Sequence, residues 1–73
     1  MIEVRFFATL RKDRGKMAEV PAGEVSVAGD ILRRFDIPPE EVAILLINGF
    51  HSKPEDPVKD GDLISLFPPV GGG

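Results

Sequence analysis

Apolar and polar residues alternate at the N-terminal end of the chain, which is the pattern of a β-strand with one buried face. The apolar set is Ile2, Val4, Phe6 and Ala8. Successive side chains in a strand point to opposite faces, so residues 1–8 are predicted to form the first strand. Residues 17–20 are predicted to form a short second strand ending at Pro21, and Gly15 marks the turn of an antiparallel hairpin.

The middle of the chain has the spacing of an amphipathic helix. Its apolar stripe is Val27, Ile31, Leu32 and Phe35. Ser26 is the expected N-cap, and Asp30 lies in the first turn, where a negative charge is favourable. Gly29 weakens this helix by about 1 kcal/mol relative to alanine. Pro38 and Pro39 are expected to end it.

Three further strands are predicted in the C-terminal half. The continuous apolar run 42–47 has the length of a buried strand, and Asn48-Gly49 after it is a strong hairpin-turn signal. Residues 50–51 begin a short return strand, and residues 63–67 form the last strand.

This order of elements is typical of an α+β domain in which a mixed sheet of four to five strands packs one face on a single helix. The chain contains no internal repeat. We expect a globular domain over residues 1–67 and a flexible glycine-rich tail over residues 68–73.

A single helix covers one face of such a sheet and leaves the other open. In the last strand Ile64 and Leu66 point to the core, so Leu63 and Phe67 point outward, as Phe7 does in the first strand. If these strands are neighbours, Phe7, Leu63 and Phe67 form an exposed apolar patch. Patches of this kind mark partner-binding surfaces. A loop that covers one or two of these residues is the alternative.

A tail of prolines and glycines follows the last strand. Its residues are Pro68, Pro69, Val70, Gly71, Gly72 and Gly73. Proline cannot donate to a sheet ladder, so the chain leaves the domain stiffly and extended, and the glycines pass through narrow gaps. At roughly 3.3 Å per residue the tail reaches about 20 Å, which places the carboxylate of Gly73 inside another protein's active site. A frayed end is the simpler alternative.

Composition excludes several classes of protein. A chain of 73 residues without cysteine is expected to be one domain without disulfides. No apolar run approaches the ~20 residues that span a bilayer and no signal peptide is recognisable, so we expect a cytoplasmic protein without membrane contact. The net charge of -3 argues against nucleic-acid binding.

Charge is unevenly distributed along the chain. Residues 11–16 carry four basic groups and one acid, whereas residues 40–62 carry six acids and two lysines. Such runs are usually solvated loops. A role of the basic run in partner docking is the alternative.

No catalytic or metal-binding constellation is recognisable. His51 is the only histidine, and it has no cysteine partner. The paired acids look like helix-end and turn residues, and the glycines match no phosphate-binding loop. The domain is therefore expected not to be an enzyme and to hold neither a metal nor a cofactor.

Several motifs together resemble the small subunit of molybdopterin synthase, a ubiquitin-like sulfur carrier with the β-grasp fold. They are Val4-Arg5-Phe6-Phe7-Ala8, Ile47-Asn48-Gly49, Lys59-Asp60-Gly61-Asp62 and, above all, Leu66-Phe67-Pro68-Pro69-Val70-Gly71-Gly72-Gly73. The resemblance covers almost the whole chain. The departures are a shorter chain, Gly29 in the helix, Leu66 in place of a common phenylalanine, and glycine at the variable position 71.

The resemblance implies a mechanism centred on Gly73. An E1-like adenylating enzyme would thread residues 68–72 and use ATP to adenylate the carboxylate of Gly73. A sulfur donor protein would convert the adenylate to a thiocarboxylate. The large subunit of molybdopterin synthase would then receive the sulfur, for the molybdenum or the tungsten cofactor.

Other functions stay open at this point. The chain is alternatively a sulfur carrier for thiazole, and hence thiamine, or for another thiolated product. It is alternatively a ubiquitin-like modifier joined through Gly73 to lysines of target proteins. A purely structural interaction domain is a further alternative, in which the terminal glycines have no function.

Overall fold

Five strands and one α-helix make up the part of the chain that the computed structural model describes, residues 1–69. The strands are β1 (Ile2–Phe6), β2 (Met17–Val20), β3 (Ile44–Ile47), β4 (Phe50–His51) and β5 (Leu63–Phe67). The helix is α1 (Ala28–Arg34), and 3-10 turns lie at Ala8–Arg11, Ala22–Glu24 and Pro39–Glu41.

The strands form a single mixed sheet in the order β2-β1-β5-β3-β4. β1 and β5 pair in parallel at its centre, and the other neighbours are antiparallel. This arrangement confirms the predicted α+β class with a mixed sheet and one helix, and it is the ubiquitin-like β-grasp. β1 ends earlier than predicted because Ala8 has a φ of 52°, in the left-handed region, where the first 3-10 turn begins.

The core lies between α1 and the inner face of the two central strands. The fully buried residues of these strands are Ile2, Val4, Phe6, Ile64 and Leu66. Ile31 and Leu32 of α1 are buried against them, which confirms the predicted alternation in β5 and the apolar stripe of the helix. Burying each side chain of this size contributes about 1.5–3 kcal/mol, so this layer holds the domain together.

The N-terminus of α1 is capped differently from the sequence prediction. Val27, not Ser26, is the N-cap residue, and no side chain caps the helix from that position. The carboxylate of Asp30 instead accepts hydrogen bonds from the backbone N–H groups of Ser26 and Val27, at 2.8 and 3.2 Å. The prediction for Ser26 was wrong because the loop over residues 54–56 supplies the remaining acceptors, and that loop is distant in sequence.

Gly29 marks the closest approach of this loop to the helix. Its backbone N–H donates to the carbonyl of Pro54 at 2.7 Å, and the N–H of Ala28 donates to the carbonyl of Asp56 at 3.0 Å. A Cβ at position 29 would lie 3.2 Å from the Pro54 oxygen, tighter than an ordinary contact. The glycine therefore lowers helix propensity but lets the loop cap the helix.

β3 is shorter and more exposed than the predicted buried strand over residues 42–47. Only Leu45 of its four residues is buried, and Ile44 is 39% exposed. The reason is that α1 covers only one face of the sheet, so alternate residues of β3 face the open side. An unbroken apolar run therefore did not mean burial on both faces.

A carboxylate clamp formed by Asn48 and Asp62 ties the β3–β4 turn to the start of β5. Asn48 Nδ2 donates to Asp62 Oδ1, and the N–H of Leu63 donates to Asn48 Oδ1, both at 2.9 Å. The N–H of Lys59 donates to Asp62 Oδ2, also at 2.9 Å. Asp62 is only 4% exposed. Burial raises its pKa, but the hydrogen bonds from Asn48 and Lys59 and the charge of Lys59 together hold that pKa below its ordinary value.

We expect Asp62→Ala to lower the free energy of unfolding by about 1–3 kcal/mol, because Asn48 Nδ2 and the Lys59 N–H lose their acceptor. Urea denaturation measures the change. Glu55→Gln is the control, since Glu55 is exposed and outside the clamp, and it is expected to change stability by less than about 0.5 kcal/mol. Equal effects of the two substitutions would contradict the clamp.

The clamp also predicts a dependence of stability on pH. The folded-state pKa of Asp62 is lowered, so its contribution is present above the unfolded value of about 3.9 and is lost as the pH falls below that value. Asp62→Asn cannot titrate at this position. Between pH 5 and pH 3 its unfolding free energy should therefore fall less than that of the unsubstituted chain, and parallel pH profiles would contradict this assignment.

Candidate functional site at the base of the tail

The tail leaves the sheet at the C-terminal end of β5, between β1 and β3. Phe67 is the last strand residue, Pro68 is half-buried and Pro69 is exposed. Proline in these positions cannot continue the ladder, so β5 ends where the sequence predicts. The predicted tail residues Val70, Gly71, Gly72 and Gly73 lie outside the described residues.

The two predicted patch residues Phe7 and Phe67 lie in contact beside the tail. β1 and β5 pair in parallel with Phe6 opposite Leu66, and the N–H of Phe7 donates to the Leu66 carbonyl at 3.2 Å. This register sets Phe7 next to Phe67. Their rings are stacked with centroids 4.3 Å apart and planes 11° apart, and both are half-buried. Such a pair contributes about 0.5–1.5 kcal/mol beyond the area it buries.

Arg11 adds a cation to this aromatic pair. Its guanidinium carbon lies 5.6 Å from the centroid of the Phe7 ring, a distance at which a cation is attracted to an aromatic face. Its Nε also donates to the carbonyl of Phe6 at 2.9 Å. We call Arg11, Phe7 and Phe67 the aromatic stack. Sequence reasoning missed the contact of Arg11 with Phe7, because it depends on the 3-10 turn after β1 and on no periodic pattern.

Leu63, the third predicted patch residue, lies on the same open face but not beside the stack. It is half-buried and pairs with Glu3 at the other end of β5. Four residues along a strand separate it from Phe67, which is roughly 13 Å. The structure thus brings Phe7 and Phe67 together and leaves Leu63 at a distance.

Residues of β3 fill the open face on the other side of the stack. Ile44 is the cross-strand partner of Phe67, and the half-buried Leu46 is the partner of Ser65. Phe7, Phe67 and Ile44 therefore form an apolar row across three strands at the base of the tail. Sequence reasoning missed Ile44 and Leu46 because it treated β3 as buried on both faces. Every residue of the apolar run is hydrophobic, so no polar residue marked the face that is exposed.

The rest of the open face carries polar side chains as well as apolar ones. Arg5 Nε lies 2.6 Å from a carboxylate oxygen of Glu3, and both side chains are partly exposed. Exposed pairs of this type contribute about 0–1 kcal/mol. His51 lies on the edge strand β4 opposite Leu46. The apolar row thus borders a surface on which the ion pair of Arg5 and Glu3 contributes little to stability.

The described residues contain no metal-binding cluster. Within residues 1–69 no group of three or more His, Cys, Asp or Glu side chains is placed to hold a metal ion. An apolar cleft between α1 and β3, lined by Leu32, Val42 and Leu45 among others, has a volume of about 190 Å³. Two more open depressions, one beside Lys12 and Asp36 and one beside Arg33 and Pro38, have volumes of about 430 and 480 Å³. No helix in this part of the chain has the length and apolarity needed to cross a bilayer.

Comparisons with known proteins agree with this geometry. SAMP1 from Haloferax volcanii has a TM-score of 0.75 at 23% identity, over 99% of this chain and 98% of that one. The HVO 2177 protein of the same organism has a TM-score of 0.75 at 29% identity, over 99% and 85%. A chain from the complex of subunits 1 and 2 of the molybdopterin-converting factor from Helicobacter pylori has a TM-score of 0.62 at 26% identity, over 99% and 97%.

The sequence comparisons place the chain in a family. No curated protein is significantly similar to it. The family model described as the ThiS family, however, matches residues 4–73, from the first strand through the glycines of the tail. Together with the β-grasp fold and the structural relatives, this match confirms the resemblance to a sulfur carrier, and the chain belongs to the ThiS family of small ubiquitin-like sulfur carriers.

Proposed function

We propose that this protein carries sulfur on the carboxylate of Gly73 for the synthesis of molybdopterin, the organic part of the molybdenum and tungsten cofactors. The observation that supports this most directly is the aromatic stack, an apolar surface at the base of a tail that begins with two prolines. The 26% identity with a chain of the Helicobacter pylori molybdopterin-converting factor complex supports the same pathway. By that likeness the large subunit of a synthase is one partner of the chain.

The chemistry needs an activated acyl group, because a carboxylate is a poor electrophile. A carboxylate oxygen of Gly73 attacks the α-phosphorus of ATP in an adenylating enzyme, and pyrophosphate leaves. Hydrosulfide released by a sulfur donor protein then attacks the acyl carbon, the bond to the phosphate breaks and AMP leaves, so that a thiocarboxylate remains. The chain has no cysteine, and a terminal acyl group is therefore the position at which it can hold transferable sulfur.

The open face would offset the cost of ordering the tail. Fixing a residue's backbone costs about 1–2 kcal/mol, so the three glycines cost about 3–6 kcal/mol when a partner binds them. Covering the row of Phe7, Phe67 and Ile44 removes half-exposed apolar surface from water, at about 25 cal/mol per Å². A fully extended tail would carry Gly73 about 20 Å from the row, so that docking and chemistry take place at separate positions.

Two other functions use the same surface and the same activation. A carrier for thiazole or another thiolated product fits the ThiS family membership equally well. A modifier that is attached to target lysines through Gly73 fits the fold shared with SAMP1. The state of Gly73 separates them, since carriers end in a thiocarboxylate and modifiers form isopeptide adducts.

The mass of the intact protein from its native cells, without a C-terminal tag, is the first measurement for this proposal. We expect an increase equal to the replacement of one oxygen by sulfur, located on Gly73 by fragmentation. Isopeptide adducts to lysine without any thiocarboxylate would favour the modifier. Failure of the adenylating enzyme from the same organism to activate the unmodified carboxylate would overturn all three functions.

Removal of Gly72 and Gly73 should abolish adenylation while leaving the unfolding free energy within about 0.5 kcal/mol, because the buried core residues of the described chain end at Leu66. Pyrophosphate release measures activity, and urea denaturation measures stability. The truncated chain should still compete with the full chain for the enzyme. Unchanged activity after truncation would instead support a purely structural domain.

Phe7→Ala should raise the KM for the carrier in adenylation about 10-fold or more, since it removes half of the aromatic pair at the centre of the docking surface. The kcat should change little, because the reacting group is on Gly73. Phe50→Ala is the matched control: Phe50 is 75% exposed and lies at the turn on the opposite end of the sheet. Equal effects of both substitutions, with both variants folded by circular dichroism, would contradict this docking surface.

A further inference from the structure

The basic loop, residues 11–16, carries a charge opposite in sign to the rest of the chain. It holds four basic groups and one acid, hence +3, in a protein whose net charge is -3. The other 67 residues therefore carry -6. A basic cluster in a chain of negative net charge makes the charge distribution asymmetric, which orients the protein in the field of a charged partner before contact.

The loop is held in place by hydrogen bonds. Arg14 donates from Nε to the carbonyl of Phe35 and from Nη1 to the carbonyl of Leu10, both at 3.2 Å. The N–H of Gly15 donates to the Arg11 carbonyl at 2.9 Å. Arg14 is half-buried by these contacts. One of the four cations is thus used to fix the loop, and the other three are exposed on it.

The exposed cations Arg11, Lys12 and Lys16 form no ion pair within residues 1–69. Lys12 borders a shallow polar depression that also contains Asp36 and Glu41, which partly offset its charge. The side chain of Arg11 and the backbone of Lys16 are both hydrogen-bonded to Phe6, the residue before Phe7. Arg11 Nε donates to the Phe6 carbonyl, and the Phe6 N–H donates to the Lys16 carbonyl, both at 2.9 Å.

The position of the loop argues against a direct role in binding the nucleotide. If the tail is fully extended in the enzyme, the carboxylate of Gly73 is adenylated about 20 Å from Phe67. At 0.1 M salt, charges interact over about 10 Å. The cations at the base of the tail therefore act on the protein surface that surrounds the entrance for the tail, and not on ATP.

We propose that the basic loop is an electrostatic contact for the adenylating enzyme, whose docking face has an apolar centre and an acidic rim on the side of Arg11, Lys12 and Lys16. The aromatic stack joins the two parts, because Arg11 lies both in the loop and on the ring of Phe7. The acidic remainder of the chain is repelled by the same rim, so the carrier approaches with its tail toward the entrance. This inference rests on the proposed activation of Gly73.

The test compares two double variants with the same net charge. Lys12→Gln/Lys16→Gln removes two positive charges from the loop. Lys53→Gln/Lys59→Gln removes two from outside the loop, where Lys59 precedes β5 at the end of the sheet away from the tail. The association rate constant with the adenylating enzyme is measured for both variants and for the unsubstituted chain between 20 mM and 500 mM salt.

We expect the loop variant to associate about 3- to 10-fold more slowly than the control variant at low salt, with the two converging at high salt, because screening removes steering. Its kcat for adenylation should equal that of the control. Equal association rates of the two double variants at low salt would overturn the inference. If the unsubstituted chain is neither bound nor adenylated, it is the proposed function that fails, and the two failures are distinguishable.

A nucleic-acid partner for the basic loop is tested in the same series. Binding of single-stranded RNA is measured by fluorescence anisotropy over the same salt range. We expect no RNA binding by the unsubstituted chain, since a net charge of -3 opposes it. RNA binding that is lost in the loop variant, with an unchanged rate of association with the enzyme, would overturn the inference in favour of RNA.

Discussion

Parallel pairing of the first and last strands is the interaction on which the rest of the molecule depends. β1 and β5 lie side by side at the centre of the sheet, and their inner faces supply most of the fully buried side chains. The same register carries Phe7 next to Phe67, at the point where the tail begins. Stability and the presentation of the tail therefore have one structural origin, and a register slip would remove both.

A second constraint is that the only α-helix of the described residues is too short to cover more than one face of the sheet. α1 has seven residues and covers one face of a five-stranded sheet, so the other face is open to solvent. The small core gains support from hydrogen bonds outside the sheet, including those of the loop that caps α1 and those of the clamp of Asn48 and Asp62. Apolar side chains on the open face are not fully buried in the isolated domain. In the proposed function a partner covers them, and the free energy of this burial offsets the cost of ordering the tail.

Charge is distributed unevenly around this face. The apolar row lies at the exit of the tail, the basic loop borders it on the β1 side, and the acidic residues are spread over the rest of the chain. An apolar centre provides affinity, whereas charges around it govern the rate and orientation of approach. In the proposed function, recognition at the base of the tail is thus separate from chemistry at its end.

The sequence by itself determined the element order, the α+β class, the inward and outward residues of β1 and β5, and the end of β5 at Pro68. These features follow from local rules: alternation, helical spacing and the missing N–H of proline. The family resemblance lay in local motifs as well, above all in the tail. Only the tertiary structure decided that Val27 is the N-cap of the helix, that Ile44 faces solvent, that Arg11 covers Phe7, and that Leu63 lies far from the stack. Each depends on which segment packs beside another: a loop 25 residues away supplies the helix cap, a single helix leaves half of β3 uncovered, and a left-handed Ala8 turns Arg11 back onto the sheet. Pairings between distant segments carry no periodic signal, which is why periodicity found the elements and not the contacts between them.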